Sequence, residues 1–154
     1  GPERVAALVA SATSRGDRVR GAKIYRRPEF ACVACHQVSG EGGTLGPDLS
    51  AIGRVSPQDF IVESVLWPKR AVKEGYVLTR VLTKDGRELQ GTLLRHSKDV
   101  LIIRELGSHV VHEVKPVEIA ARNTADSLMP DGLTTAMSEQ QLNDLLCYLI
   151  NLGK

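Results

Sequence analysis

Aromatic residues and cysteines are scarce in this sequence. The chain of 154 residues has one Trp, three Tyr, two Phe and three Cys, so that aromatic side chains make up 4% of it. The interior is therefore expected to be aliphatic, unless a cofactor supplies a large flat apolar body. The net charge of +2 is too small to favour nucleic acid as a partner. No apolar run is long enough for a transmembrane segment.

Helix and strand signals divide the chain into three stretches. The contents of 42% hydrophobic and 25% charged residues are those of an ordinary globular domain. Gly1 and Pro2 are interpreted as the remnant of a cleaved tag. Helical periodicity and capping residues predict helices over residues 3–13, 18–27 and 58–66, and a last helix after Ser138, which forms a capping box with Gln141. Between residues 76 and 119 the runs are β-branched and of strand length, and Asp85-Gly86 is typical of a hairpin.

These signals predict a helical core that is interrupted by an inserted sheet. The core is expected to consist of residues 3–75 and 120–154. The insertion is expected to be a small antiparallel sheet or barrel of four or five strands over residues 76–119. The glycine-rich stretch 40–53 shows neither a helical nor a strand period, and it is predicted to be a loop.

Two of the three cysteines stand in the stretch CVACH, residues 32–36. A zinc site needs four ligands, and only Cys147 and three scattered histidines remain. A thiol–disulfide motif is expected in a βαβ context, which the flanking residues do not supply. Covalent haem attachment fits fully, because the two-residue spacer separates the sulfurs as the two vinyl groups require and the next residue is a histidine. The motif therefore predicts one covalently bound haem c.

With this motif, the chain resembles class I cytochrome c domains over most of its length outside the insertion. It is most similar to the haem-binding domain of the Pirellula/Verrucomicrobium type, which is often found at the C-terminal end of large multidomain proteins. The matching segments are GDRVRGAKIY, CVACH, GGTLGPDLSAIG, ESVLWP, GYVL, SLMPDGL and LNDLLCYLINL. The resemblance implies a mainly α fold, a class I cytochrome c helical core with the small β insertion.

The resemblance also implies roles for single residues. Cys32 and Cys35 would form the thioether bonds to the haem, and His36 would be the proximal iron ligand. The carbonyl of Pro47 would accept a hydrogen bond from the other ring nitrogen of His36, which orients the ring and raises its basicity.

Five further residues are expected near the haem or at a helix crossing. The resemblance implies that Gly21 and Tyr25 meet the last helix near Tyr148, with Gly21 allowing a close approach. A tolerated glycine in a weak helix is the alternative. Trp67 and Arg70 are candidates for contacts with the haem propionates, by their position alone.

The sixth iron ligand is assigned to Met129. It lies in a loop with polar flanks, where an isolated methionine has little packing reason, and the resemblance implies a distal methionine that precedes a proline in the same way. Met137 is expected to pack in a hydrophobic staple around Ser138. The alternatives to Met129 are His96, His109 and His112. Of these, His109 and His112 lie three apart on one predicted strand, so they face opposite sides of the sheet and cannot serve one site.

Two other features have more than one interpretation. Cys147 is expected to be a half-buried, unreactive thiol, and an intermolecular disulfide is the alternative. Residues 15–27 carry six Arg or Lys against one Asp. This stretch is either a solvated helix face, a docking surface for an acidic redox partner, or a cover for the propionates.

Together these observations predict one-electron transfer rather than an enzyme activity of the domain itself. The expected partner is a redox protein or a fused dehydrogenase, and neither nucleic acid nor a membrane span is expected. A periplasmic or otherwise exported location is expected, because covalent haem attachment is completed outside the cytoplasm. A haem-based sensor with an open or labile sixth position is the alternative, and an interaction domain that uses the β insertion is a third possibility.

Overall fold

The chain forms two compact units in the computed structural model, which describes residues 1–70, 76–106, 108–127 and 129–154. The first unit consists of Gly1–Ala71 and Met129–Lys154, and the second of Val72–Leu128. Within the described residues, no helix has the length and apolar character to cross a membrane.

The first unit is helical. Its packing rests on α1, α2, α5 and α6, which bury aliphatic side chains such as Leu8, Ile24, Ile61 and Leu146 in one core. Its helices are α1 (Pro2–Arg15), α2 (Arg18–Tyr25), the 3-10 helix η1 (Pro28–Phe30), α3 (Cys32–Cys35), α4 (Ile52–Val55), α5 (Gln58–Leu66) and α6 (Glu139–Ile150).

Local hydrogen bonds explain where α2 and α6 begin. The side chain of Asp17 accepts from the Arg20 N–H at 2.8 Å and caps α2. Ser138 Oγ accepts from the Gln141 N–H, and the Gln141 side chain accepts from the Ser138 N–H. The capping box that the sequence predicts at the start of α6 is thus confirmed.

Helices α2 and α6 cross in close contact at Gly21. A Cβ atom on this residue would lie 1.9 Å from the Asp144 carbonyl oxygen, so any larger residue would push the helices apart. One turn later, the rings of Tyr25 and Tyr148 lie 5.5 Å apart between centroids. The crossing that the resemblance implies at these residues is confirmed.

The glycine-rich stretch contains short elements that the sequence analysis misses. An antiparallel ribbon pairs β1 (Gln37–Val38) with β2 (Glu41–Gly42), and α4 follows. The residues between the two strands, Ser39 and Gly40, both have positive φ angles, as a two-residue hairpin turn requires. Strands of two residues are too short to show an alternating pattern, which explains the missed prediction.

The second unit is an antiparallel sheet of five strands in the order β6-β5-β4-β3-β7. One face buries Val81, Leu89, Leu101, Ile103 and Val114. The strands are β3 (Val77–Thr83), β4 (Glu88–His96), β5 (Leu101–Glu105), β6 (Val111–Val114) and β7 (Ile119–Ser127), with the 3-10 helix η2 (Pro116–Glu118) before β7.

The sheet corrects two boundaries of the sequence analysis. The predicted insertion ends at residue 119, but β7 continues the sheet to Ser127 and pairs with β3. Strand β7 lies at the edge of the sheet, where an apolar face is not required. Its sequence IAARNTADS therefore lacks a clear apolar alternation and gives only a weak strand signal. His109 is not in β6, which begins at Val111; it lies in the turn before it with φ 61°. With this sheet present, the description as mainly α holds for the first unit alone.

Candidate haem site

Cys32 and Cys35 are the two ends of α3, the single helical turn that the motif forms. Residues three apart lie on the same side of a helical turn, so the two thiols share one face. Both are half-buried and neither is in a disulfide. Burial raises the pKa of the Cys32 thiol. The turn is anchored on its N-terminal side by Phe30, whose ring is buried in the helical core.

His36 ends α3 with its imidazole in a fixed orientation. Its Nδ1 lies 2.7 Å from the carbonyl oxygen of Pro47, the hydrogen bond that the resemblance implies. A carbonyl only accepts, so Nδ1 carries the proton and Nε2 keeps its lone pair. Burial lowers the pKa of His36 and outweighs the opposite effect of the Pro47 hydrogen bond. The ring is therefore a neutral imidazole with one nitrogen ready to bind a metal.

The glycine-rich loop folds back against the motif. The N–H of Gly43 donates to the Val33 carbonyl at 2.9 Å, and the N–H of Gly46 donates to the Cys35 carbonyl at 2.7 Å. A Cβ on Gly43 would lie 1.9 Å from the Ala34 oxygen, and one on Gly46 would lie 2.6 Å from Cε1 of the His36 ring. Only glycine permits this approach, and it brings the Pro47 carbonyl to the imidazole.

The backbone of His36 is held as well as its ring. The hydroxyl of Tyr25 donates to the His36 carbonyl oxygen at 3.3 Å. Burial raises the pKa of Tyr25, so this phenol stays protonated and able to donate. The crossing of α2 and α6 is thereby linked to the backbone of His36.

Trp67 and Arg70 contact each other at the end of α5. The Arg70 guanidinium lies 3.9 Å from the centre of the Trp67 ring and forms an ion pair with Glu63. Trp67 is half-buried against the helical core. Their suggested contact with haem propionates stays a prediction.

Met129 lies in the loop that precedes α6, in a separate stretch of the chain from the motif. Its side chain is half-buried. Met137, at the other end of this loop, packs against the helical core beside the capping box, as the staple interpretation predicts. The assignment of Met129 to the iron stays a prediction.

Two of the three candidate histidines have hydrogen-bond partners within the second unit. Nε2 of His96 lies 2.9 Å from the Arg122 guanidinium, and Nε2 of His112 lies 2.9 Å from the Glu105 carboxylate. Because each of these rings already uses its Nε2 in the sheet, a structural role is favoured for both.

Cys147 is buried on α6, with 8% of its surface exposed. Burial raises the pKa of its thiol, which keeps it protonated and poorly reactive. It lines a small cavity of about 200 Å³ between α1, α5 and α6. An intermolecular disulfide needs an accessible thiolate, so the structure favours the interpretation as an unreactive thiol.

An ion pair between Arg20 and Asp144, which joins α2 to α6 at their crossing, was not predicted from the sequence. The buried carboxylate of Asp144 accepts from Arg20 Nε at 2.9 Å, from the Asp17 N–H at 2.8 Å and from Gln140 at 2.9 Å. One of the six basic residues of 15–27 is therefore structural. Asp144 lies off the leucine stripe of the last helix, on the side where a polar residue is expected, so the sequence carries no local signal of its burial.

The residues around the motif fit a covalently bound haem. Two half-buried thiols that form no disulfide stand one helical turn apart, and the next residue is an oriented neutral imidazole. This is the donor set that haem c requires on its proximal side. Four of the predicted site residues are thus brought together by one segment: Cys32, Cys35, His36 and Pro47.

Comparison with known proteins agrees with this chemistry. Residues 19–80 match the family model of cytochrome c. The matched region is less than half of the chain; it includes the motif and the glycine-rich loop but not Met129. No curated protein sequence matches the chain. The family match and the site geometry together support a c-type cytochrome domain, a generally non-enzymatic electron-transfer module whose haem c is covalently bound.

Proposed function

We propose that this chain is a mono-haem c-type cytochrome domain of the Pirellula/Verrucomicrobium type, which passes single electrons to or from a redox partner outside the cytoplasm. The partner is a separate redox protein or a dehydrogenase fused to the same polypeptide. The observation that carries the proposal is the His36 imidazole, which is fixed on the Pro47 carbonyl directly after two unpaired thiols. This preorganises the proximal side before any haem is attached.

The residues of the chain have distinct tasks in this function. Cys32 and Cys35 hold the haem by thioether bonds, and His36 Nε2 and the Met129 thioether hold the iron. The Pro47 carbonyl keeps the imidazole in one tautomer and one orientation, which limits reorganisation when the charge of the site changes. The haem itself supplies the one-electron chemistry between ferric and ferrous iron.

Covalent attachment is the sharpest test of the proposal. The protein is exported from a host cell that has a haem-maturation system. It is then denatured, and its mass is measured by mass spectrometry. We expect the mass of one haem on the unmodified chain and none on the Cys32→Ser/Cys35→Ser variant. Cys147→Ser is the matched control, because it removes the third thiol and leaves the motif intact; it should retain the haem. Bound zinc without covalent haem would exclude the cytochrome function.

The proposed location has its own test. The same chain produced in the cytoplasm, without export, should carry no thioether-bound haem, since attachment is completed outside the cytoplasm. Equal covalent loading in the two compartments would contradict an exported location.

A haem-based sensor is the second candidate, and the distal loop gives it support. The side-chain hydrogen bond from Thr135 to Gly132 in the loop after Met129 is exposed, whereas the one between His36 and Pro47 is part-buried. A carrier needs six-coordinate, low-spin haem in both oxidation states; a sensor needs a sixth ligand that a gas displaces. Absorption spectra of both states and carbon monoxide binding by the reduced protein separate the two. Rapid, tight binding of carbon monoxide would favour the sensor.

A further inference from the structure

The stretch 15–27, which contains α2, carries more positive charge than nearby carboxylates neutralise. Two of its six basic residues form ion pairs, Arg20 with Asp144 and Arg27 with Glu29. Within the described part of the chain, no ion pair is found for the other four, which are all exposed. These four are Arg15, Arg18, Lys23 and Arg26. The stretch therefore keeps an excess of positive charge that its own ion pairs do not balance.

The outer face of α2 combines this charge with an exposed apolar residue. The helix buries Gly21, Ile24 and Tyr25. The residues on its opposite side follow the helical spacings i, i+3, i+4 and i+7, and this α2 face consists of Val19, Ala22, Lys23 and Arg26. Val19 is 68% exposed. An apolar centre with a charged rim is the usual anatomy of a protein–protein contact surface.

The size and position of the α2 face suit a brief encounter between redox proteins. A helix of eight residues is about 12 Å long, and small contact areas are typical of transient redox complexes. On the buried side of the same helix, the Tyr25 hydroxyl donates to the His36 carbonyl at 3.3 Å. A partner on the α2 face would thus be separated from the haem-binding motif by this one helix.

We propose that the α2 face is the docking surface for a redox partner whose own contact surface is acidic. The inference rests on the proposed function, because it takes the partner to exchange one electron with the haem iron. The iron is oxidised or reduced, and the cofactor of the partner undergoes the opposite change. Lys23 and Arg26 attract the acidic surface from a distance and so speed the encounter, and Val19 supplies an apolar contact at the centre.

The test measures electron transfer from a small acidic flavoprotein, reduced by a light flash, to the oxidised haem-loaded protein. We expect the second-order rate constant to fall as the salt concentration rises, because ions screen the attraction. At low salt, Lys23→Glu and Arg26→Glu should each lower it about three- to tenfold, and both should converge with the original protein at high salt. Val19→Ala should lower it about twofold at every salt concentration, because an apolar contact is not screened.

Helix α4 offers matched controls in the same unit. Arg54 is exposed, and Val55 is 68% exposed, the same fraction as Val19. Arg54→Glu changes the net charge by as much as Lys23→Glu, and Val55→Ala removes the same atoms as Val19→Ala. Each control should lower the rate constant by less than about twofold. A neutral free flavin should reduce all of these variants equally, since it does not depend on the docking surface.

The outcomes separate the docking surface from the function on which it rests. If the neutral flavin reduces the haem, but Lys23→Glu and Arg26→Glu react with the acidic flavoprotein at the original rate, the docking surface is wrong and the cytochrome function stands. If no covalent haem forms, the proposed function fails, and the inference about electron exchange fails with it. Sedimentation with phosphatidylglycerol vesicles tests a different occupant. Vesicle binding that Lys23→Glu abolishes, together with unchanged electron transfer from the flavoprotein, would assign the α2 face to a membrane surface and overturn the proposal.

Discussion

The two sides of the proposed haem site are built differently. On the proximal side, the segment from Cys32 to Pro47 is held by backbone hydrogen bonds to the motif and by a part-buried hydrogen bond to the His36 ring. On the distal side, the contacts described for the stretch from Met129 to Met137 include its own turns, an exposed ion pair of Asp131 with Lys69, and the packing of Met137 against the helical core. The His36 ring is thus oriented by a part-buried hydrogen bond, whereas the described hydrogen bond within the proposed distal loop is exposed.

The proximal and distal sides of the proposed site therefore have different tasks. An oriented, neutral imidazole is ready to accept iron as soon as the thioethers form. The distal ligand then determines whether the domain is a carrier or a sensor, because its strength decides whether a small molecule can take its place. Substitutions on the proximal side should accordingly affect folding and haem loading, and those on the distal side should affect potential and ligand binding.

The largest expected effect tests the crowded proximal loop. Gly43→Ala places a Cβ 1.9 Å from the Ala34 carbonyl oxygen, so the backbone has to move. We expect the free energy of unfolding of the haem-loaded protein to fall by about 3 kcal/mol, at the upper end of overpacking effects, and haem loading to fall with it. Denaturant titration and mass spectrometry measure the two quantities.

Gly40→Ala is the matched control for this loop. Gly40 has φ 80° but no atom within 4 Å of its Cβ position, so only backbone strain is added, about 1 kcal/mol. Equal losses at Gly40 and Gly43 would contradict the close packing of the loop on the motif.

The local arrangement of the motif is predictable from the sequence because its determinants are local. CVACH spans one helical turn, and its residue types and spacing alone are specific to haem attachment. The Asp17 cap and the Ser138 capping box also depend on residues three positions apart. The partnership of Pro47 with His36 came instead from the resemblance, since a loop of eleven residues does not show in its own pattern which carbonyl it presents.

Contacts between distant residues were not predictable in this way. The ion pair of Arg20 and Asp144 joins residues 124 positions apart, and only the close approach at Gly21 makes it possible. Strand β7 was missed for a related reason: its polar sequence becomes a strand through pairing with β3, and not through its own propensity. In both cases tertiary structure supplies what the local sequence lacks.

A second prediction concerns the crossing of α2 and α6, which is linked to His36 through Tyr25. Asp144→Asn removes the negative charge that Arg20 and Gln140 contact. We expect a loss of about 2 kcal/mol in the free energy of unfolding, the size of effect expected for hydrogen bonds to a charged group. Glu139→Gln is the control, since it removes one exposed partner of a surface pair, and it should cost less than about 0.5 kcal/mol.

The same carboxylate predicts a pH dependence. Burial alone would raise the pKa of Asp144, but the hydrogen bonds from Arg20, Gln140 and the Asp17 N–H outweigh it and lower the pKa. A carboxylate with a lowered pKa in the folded state stabilises the fold above its unfolded pKa of about 3.9, and this contribution is lost as the pH falls. Unfolding curves between about pH 6 and 3 should therefore converge for the original protein and Asp144→Asn. A constant difference at all pH values would contradict this linkage.

A third prediction addresses the distal ligand. A neutral thioether favours ferrous iron, so Met129→Ala should lower the reduction potential and allow carbon monoxide to bind the reduced protein at least about tenfold faster. Met137→Ala removes the other methionine, which packs against the helical core, and should reduce stability without either effect. Potentiometry and flash photolysis measure the two properties. The opposite result, with Met137→Ala the more disturbing variant for the iron, would exchange the roles of the two methionines.

The smallest expected effect comes from the sheet histidines. His96 and His112 each already use Nε2, with Arg122 and Glu105 as partners within the second unit. Because a ligand role would require breaking these contacts, His96→Ala and His112→Ala should leave the haem absorption spectrum and the potential unchanged. His112→Gln is a useful companion, since it removes the imidazole but keeps a polar side chain that can reach Glu105. A lost low-spin spectrum in His112→Ala and His112→Gln alike, with an unaltered spectrum in Met129→Ala, would make this histidine the sixth ligand and would connect the inserted sheet to the iron.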